Sequence, residues 1–374
     1  MGVKEKIIYL ASGGTGGHLF PAVALARKIA SRGDKPILLT DERGGSLVRQ
    51  SSDLEVIILP LRKRGGGLYG RLRFHGALLR CVLSVLRQFR KQKPDLIVGF
   101  GGYPSFPVVI ASMLKNKKLL LHEQNAYLGM VNRYGARCAR KIAVSFRQTY
   151  GVPPKDREKV SLTGMPVREE ITRLYKSPYP RGSADDPFTI LVIGGSQGAA
   201  FFSHLVPHAI AQLPDKIRAK VRIIQQSRPE LLATTRQVYE KIGVKAHVEI
   251  FFHNIHEELE KANLVIARAG ASTVAELRVA GRPAILIPYP HAKDDHQLYN
   301  ARLFEKEGGG YFVEEKNASV VRVAKIIERF IMDKSFAEKM ARNLHESALP
   351  DADDRLLAQV DLLLEKPEGK CVNA

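Results

Sequence analysis

Residues 264–297 read L-V-I-A-R-A-G-A-S-T-V-A-E-L-R-V-A-G-R-P-A-I-L-I-P-Y-P-H-A-K-D-D-H-Q. Leu264, Val265 and Ile266 form an apolar, strand-like run that ends at Ala267. The chain turns at Gly270 and enters a helix near Ala271. Ser272 and Thr273 fall in its first turn, where four backbone N–H groups lack intrahelical partners. Gly281 stops the helix, and residues 284–288 read as a second strand. Strand, helix and strand in succession form the unit from which parallel α/β sheets are built.

The same stretch carries chemistry. A helix start presents unpaired N–H donors and the positive end of the helix dipole, which together attract an anion. Glu276 lies about one turn further along, where a carboxylate can meet a sugar diol. The polar loop that follows ends at Gln297. Phosphate donors, a carboxylate for ribose and a polar tail for a second sugar describe a nucleotide-sugar site.

The pattern repeats along the chain. Residues 6–11 read as a buried strand, 12–17 as a glycine-rich turn and 18–31 as a helix, with Pro21 tolerated in its first turn. Strands are expected at 37–40, 56–60, 95–99 and 118–122. A long basic helix is expected from about residue 70 to 93. A second series begins with a strand at 188–193, a glycine turn at 194–198 and a helix at 199–212. Further strands are expected near 221–225, 247–252, 264–267 and 284–288. Two Rossmann-like domains with parallel sheets facing across a cleft are therefore expected: residues 1–165 and 166–349. The amphipathic tail, about 350–366, is expected as a helix packed back on a domain.

Composition sets outer bounds. The chain has 374 residues, enough for two domains of ordinary size. Its 58 Lys and Arg against 38 Asp and Glu give a formal net charge of +20, so an anionic partner is expected. Cys81, Cys138 and Cys371 show no metal-knuckle spacing, and a reducing compartment is the simple reading. The first apolar run, residues 7–11, is too short for a signal peptide, and no run nears the roughly 18 residues of a membrane span.

Other segments add candidate site residues. In Gly13-Gly14-Thr15-Gly16-Gly17-His18, missing Cβ atoms let backbone approach a ligand closely. His18 is either an exposed helix-start histidine or a general base kept neutral by the helix end. Gly194-Gly195-Ser196-Gln197-Gly198 offers a second anion site. His122-Glu123-Gln124-Asn125 follows a strand, and all four side chains are expected to face the ligand crevice. Arg168 either clamps a phosphate or bridges domains. Metal ligation is poorly supported, and Asp351-Ala352-Asp353 reads as the acidic start of a helix. Residues 62–93 carry Arg62, Lys63, Arg64, Arg71, Arg73, Arg80, Arg87, Arg90, Lys91 and Lys93 without one acid. That suits an anionic membrane surface. Nucleic acid is not expected, because aromatic stacking residues are sparse there.

Taken together, residues 13–18, 99–105, 122–125, 163–168, 194–199, 268–276 and 291–300 resemble the MurG family, the bacterial glycosyltransferases of peptidoglycan synthesis. The resemblance runs in order over residues 6–305. It implies a GT-B fold and an inverting, metal-independent transfer of N-acetylglucosamine from UDP-N-acetylglucosamine to the C4 hydroxyl of lipid I, giving lipid II. It also implies residence at the cytoplasmic face of the bacterial membrane, without a cofactor. Carried over by motif, Thr15, Gly16 and Gly17 line the cleft, Asn125 meets the donor sugar, and Arg168 and Ser196 hold the diphosphate. Phe252 offers its backbone to uracil. Ala271, Ser272, Thr273, Val274, Ala275 and Glu276 bind phosphate and ribose, Glu276 on the ribose hydroxyls. Gln297 meets the N-acetylglucosamine, and His18 matches the family's candidate base. Two other readings stay open: a glycolipid synthase with a diacylglycerol acceptor, and a non-catalytic basic protein that binds nucleotide sugar or RNA.

Overall fold

The computed structural model describes residues 5–49, 54–60, 67–180 and 186–365; for 67–73 and 195–199 it describes backbone only. The chain divides into two compact units. One comprises Met1–Arg168 with Asp351–Ala374, the other Glu169–Pro350.

Among the described residues, the first unit holds a seven-stranded parallel sheet. Its strands are β1 (Ile7–Ala11), β2 (Lys35–Thr40), β3 (Glu55–Ile58), β4 (Leu96–Gly99), β5 (Leu119–Glu123), β6 (Lys141–Val144) and β7 (Val160–Leu162). Their spatial order is β3-β2-β1-β4-β5-β6-β7. Side chains alternate across a strand, so each strand feeds two cores. Tyr9, Ile37, Ile97, Leu119 and Leu121 point to one, shared with Val82, Val85 and Phe89 of the helix Gly67–Lys91. Ile8, Leu10, Leu38, Val98 and Leu120 point to the other, shared with Leu19, Leu25 and Ile29 of the helix Gly16–Ser31. Both faces are buried, so the strands show continuous apolar runs rather than polar alternation.

The tail helix Ala352–Glu365 joins this second core through Leu356, Val360 and Leu363. Lys28 pairs with Asp353 and Asp354, and Arg32 with Asp361, along its edge. Burial depresses the Lys28 ammonium, but the two aspartates outweigh it and hold its pKa above the ordinary value.

Among the described residues, the second unit holds a six-stranded parallel sheet in the order β10-β9-β8-β11-β12-β13. These strands are β8 (Phe188–Ile193), β9 (Val221–Gln226), β10 (Lys245–Glu249), β11 (Leu264–Ala267), β12 (Ala284–Leu286) and β13 (Gly310–Phe312). Its core joins Ile190, Val192, Ile223 and Ile266 to Phe202, Val206, Ile327 and Phe330 of flanking helices.

In both sheets the strand order reverses beside the first strand of the unit, between β1 and β4 and between β8 and β11. Such switch points open a crevice at the carboxyl ends of the strands, where open α/β sheets bind ligands.

Candidate active site

At the switch point of the first unit, Ala11 pairs with Gly99, and the loops that leave β1 and β4 run side by side. Phe100 N–H donates to Ala11 O (2.8 Å) and Gly13 N–H to Gly101 O (3.1 Å). Gly102 has φ of 75°, and a Cβ there would lie 2.9 Å from Gly13 Cα and 3.2 Å from His18 Cδ2. Only glycine fits both the dihedral and the gap.

The helix then begins at Gly16, not at His18, with exposed Thr15 as its N-cap. Glycine's low helix propensity makes this segment look like turn, but the close packing of the two loops sets where the helix starts. The partly exposed Gly16 and Gly17 thus place their N–H groups in the first turn. His18 follows, partly exposed, with Nδ1 2.9 Å from Phe100 O and 2.8 Å from Gln124 Oε1.

Residues 122–125 do not all face a crevice. His122, Glu123 and Gln124 are buried, and Asn125 alone is partly exposed. The cause is mutual hydrogen bonding. Glu123 Oε1 accepts from Asn125 N–H (3.0 Å) and Asn125 Nδ2 (3.1 Å), and its Oε2 from Gly129 N–H (2.8 Å) and Asn132 Nδ2 (2.9 Å). A buried carboxylate with four donors is well satisfied and fixes the loop that carries Asn125. His122 Nε2 lies 3.0 Å from Gly164 O, and its Nδ1 lies 2.9 Å from Gln124 Nε2. Burial pushes the His122 pKa down to about 4, against the pull of its bond to Gly164 and with a further push from His18. It is neutral at physiological pH.

In the second unit Ile193 of β8 is level with Ala267 of β11. The helices Gly195–Ala211 and Ala271–Ala280 follow these neighbouring strands, so both begin at the carboxyl edge of the same sheet. Residues 195–198, expected as a turn, are instead the first turn of a helix that starts four residues before the expected Ala199. Ser196 is in that turn. Gly270 is the extended N-cap of the other helix, and Gly281 closes it in the left-handed conformation with φ of 64°. Ser272, Thr273, Ala275 and Glu276 are partly exposed, whereas Ala271 and Val274 are buried in the packing beneath.

Arg268 was visible only as part of the sequence motif, yet it organises this end of the sheet. Its guanidinium donates to Ile287 O and Pro288 O (both 3.2 Å), pairs with Glu315 (2.5 Å) and lies over the rings of Phe201, Phe202 and Tyr289. A cation directly after a buried apolar strand was the signal for it. Gln297 Oε1 accepts from Tyr289 N–H (2.9 Å), which ties the polar loop to the helix His296–Lys306. Asn300 Nδ2 donates to Ala269 O (3.0 Å) and ties that helix to the turn after β11.

Phe252 lies past the end of β10, which stops at Glu249 instead of running to 252, and packs edge-on against His247 (5.6 Å). Arg168 is exposed at the last position before the boundary between the two units. Thr15, Gly16, Gly17, His18 and Asn125 thus share the carboxyl edge of one sheet. Ser196, Ala271–Glu276, Gln297 and Phe252 share that of the other. Among the described residues, no group of three His, Cys, Asp or Glu side chains converges as a metal-ligand set.

Two Rossmann-like units, each with its ligand edge at a switch point, define a GT-B glycosyltransferase architecture. Residues 8–144 match the glycosyltransferase family 28 N-terminal domain and residues 189–356 the family 28 C-terminal domain. A transferase of Rhodospirillum centenum is 43% identical over 353 residues, 93% of this chain and 92% of its own. One of Paramagnetospirillum magneticum is 40% identical over 99% of this chain and all of its own. Both are named UDP-N-acetylglucosamine–N-acetylmuramyl-(pentapeptide) pyrophosphoryl-undecaprenol N-acetylglucosamine transferase. The crystal structure of Acinetobacter baumannii MurG aligns with a TM-score of 0.80 at 25% identity, over 96% of this chain and 99% of that one. The chain belongs to the MurG family.

Proposed function

We propose that the chain transfers N-acetylglucosamine from UDP-N-acetylglucosamine to the C4 hydroxyl of the N-acetylmuramoyl-pentapeptide of lipid I, with inversion, to give lipid II. The observation that carries this reading is the near-full-length match at 43% identity to a transferase of that name. The geometry supplies a mechanism. His18 accepts the proton of the attacking hydroxyl, since a base on the acceptor oxygen suits a single in-line displacement. UDP departs with negative charge. The helix starts at Ser196 and Ser272, with Arg168, stabilise it through preorganised donors. Glu276 holds the ribose hydroxyls, and Phe252 offers its backbone to uracil. Gln297 commits its carbonyl oxygen to Tyr289, so it meets the sugar with its amide N–H groups. Asn125, steadied by Glu123, holds the sugar from the first unit's edge, beside Thr15, Gly16 and Gly17.

The same reading places the protein peripherally on the cytoplasmic face of the membrane. Among the described residues no helix is long and apolar enough to cross a bilayer. The helix Gly67–Lys91 exposes Leu79 (60%) and Leu83 (45%) beside exposed Arg80 and Arg87. Apolar side chains rimmed by uncompensated cations suit an anionic lipid surface. Turnover tests the whole reading: purified protein with UDP-N-acetylglucosamine and a lipid I analogue is expected to release UDP, and UDP-glucose is expected to replace it poorly. Transfer to diacylglycerol with no use of the lipid I analogue would favour the glycolipid-synthase alternative.

A further inference from the structure

The hydrogen bonds behind His18 form one chain with a single possible direction. At one end, His122 Nε2 faces Gly164 O (3.0 Å). A carbonyl only accepts, so this nitrogen carries the proton. His122 is wholly buried and neutral, so its Nδ1 is a bare acceptor. The Gln124 amide nitrogen, 2.9 Å away, donates to it and also reaches His122 O at 3.2 Å. That orientation turns Gln124 Oε1 toward His18 Nδ1 (2.8 Å). At the other end His18 Nδ1 also faces Phe100 O (2.9 Å), so it too must be an N–H. Two backbone carbonyls, one at each end, independently demand the same set of proton positions. An imidazole with its proton on Nδ1 carries its lone pair on Nε2.

We infer that Gln124 and His122 are positioning residues that lock His18 in the Nδ1–H tautomer, leaving Nε2 as the base that takes the acceptor hydroxyl proton. This rests on the assignment of His18 as base made above. When Nε2 takes that proton, Nδ1–H stays in place and the imidazolium still donates to Gln124 Oε1 and Phe100 O. No proton passes through the amide. Nothing in the chain has to reorganise during the reaction, which is the advantage of a preorganised site. Glu123 and Asn132, on the same strand and the adjoining helix, bond to each other and to the loop backbone. Asn132 Nδ2 shares His122 O with the Gln124 amide, and neither Glu123 nor Asn132 bonds to the ring nitrogens of the chain.

The test uses the full chain labelled with 15N-imidazole histidine, together with steady-state kinetics. In the wild type, two-bond couplings are expected to show His18 with its proton on Nδ1; an Nε2–H tautomer would overturn the inference without any variant. Gln124→Leu removes one of the two acceptors on His18 Nδ1–H and leaves Phe100 O, so it is expected to weaken the tautomer preference and raise the Nε2–H fraction. It should lower kcat on the order of 10-fold, part of what a general base contributes, while the KM for UDP-N-acetylglucosamine stays within about two-fold. An unchanged tautomer in that variant would overturn the inference. Gln124→Glu guards against a folding failure in the leucine variant. Its carboxylate accepts from His18 Nδ1–H but cannot donate to His122 Nδ1, so it is expected to keep the His18 tautomer and more of kcat than Gln124→Leu does. A tautomer mixture in Gln124→Glu would overturn the proposal. A shifted tautomer with unchanged kcat in Gln124→Leu would overturn instead the role of His18 as base.

Discussion

His18 and Glu276 divide the proposed chemistry, one in each unit, and their variants should fail differently. Replacing a general base removes roughly 10²- to 10⁴-fold in rate. His18→Ala is therefore expected to lower kcat by at least about 100-fold with little change in UDP affinity, read by turnover and by UDP titration. Near wild-type turnover would exclude the base role. Glu276→Ala removes a charge-assisted diol contact worth about 1.5–3 kcal/mol. It is expected to raise the KM for the donor at least ten-fold, and an unchanged donor KM would refute the ribose assignment. His122 makes a third prediction, on stability. Its ordinary pKa is about 6.5, and in the folded chain burial takes it to about 4. Between these values the unfolded chain binds the proton and the folded chain does not. Stability is thus fully present above about pH 6.5, falls as pH drops through that value, and levels off below about pH 4. The loss is about 3 kcal/mol by linkage. Denaturant unfolding from pH 7 to pH 4 should show a shallower decline for His122→Gln than for the wild type.

At the scale of elements, the alternation of strand and helix was legible because buried parallel strands are short apolar runs between glycine turns. The helix Glu42–Arg49 was not, since Gly44 and Gly45 sit in its middle and weaken its helical signal. Its glycines answer a packing demand instead. A Cβ on Gly44 would meet Thr40, and one on Gly45 would lie 2.8 Å from Ile58. Strand β13 was also hidden, because it is three residues long and opens with Gly310, whose Cβ would lie 1.9 Å from Ala284 O. In the site, the glycine turns and His18 were visible by type and place. The inward role of residues 122–124 was not, because polar residues after a strand look alike whether they meet ligand or one another. The tail helix Ala352–Glu365 was visible by its amphipathic pattern, and it completes a core it is distant from in sequence. Leu356 is fully buried there. Leu356→Ala is expected to cost about 2–5 kcal/mol, measured as a lowered denaturant midpoint of the first unit. A cost below about 0.5 kcal/mol, the range of surface substitutions, would mean the helix is not part of that core.

For the whole molecule, charge and fold point to the same acceptor. A net charge of +20 is carried by a chain whose proposed acceptor is an anionic lipid. Reversing Arg80, Arg87, Arg90 and Lys91 to glutamate is expected to weaken binding to anionic vesicles, at about 1 kcal/mol for each cation near the surface. Equal binding would leave that face merely solvated. Both sheets place their glycine turns and helix starts at the carboxyl edge beside a switch point, so each unit has one edge suited to a ligand. In the proposed mechanism the second unit's edge supplies the phosphate, ribose and sugar contacts of the donor, and the first unit's edge supplies the base. The most direct measurement is turnover of UDP-N-acetylglucosamine with a lipid I analogue. The account predicts UDP release with formation of a β-linked N-acetylglucosaminyl product, abolished without acceptor. No product from the lipid I analogue, under conditions where the protein binds UDP-N-acetylglucosamine, would contradict it.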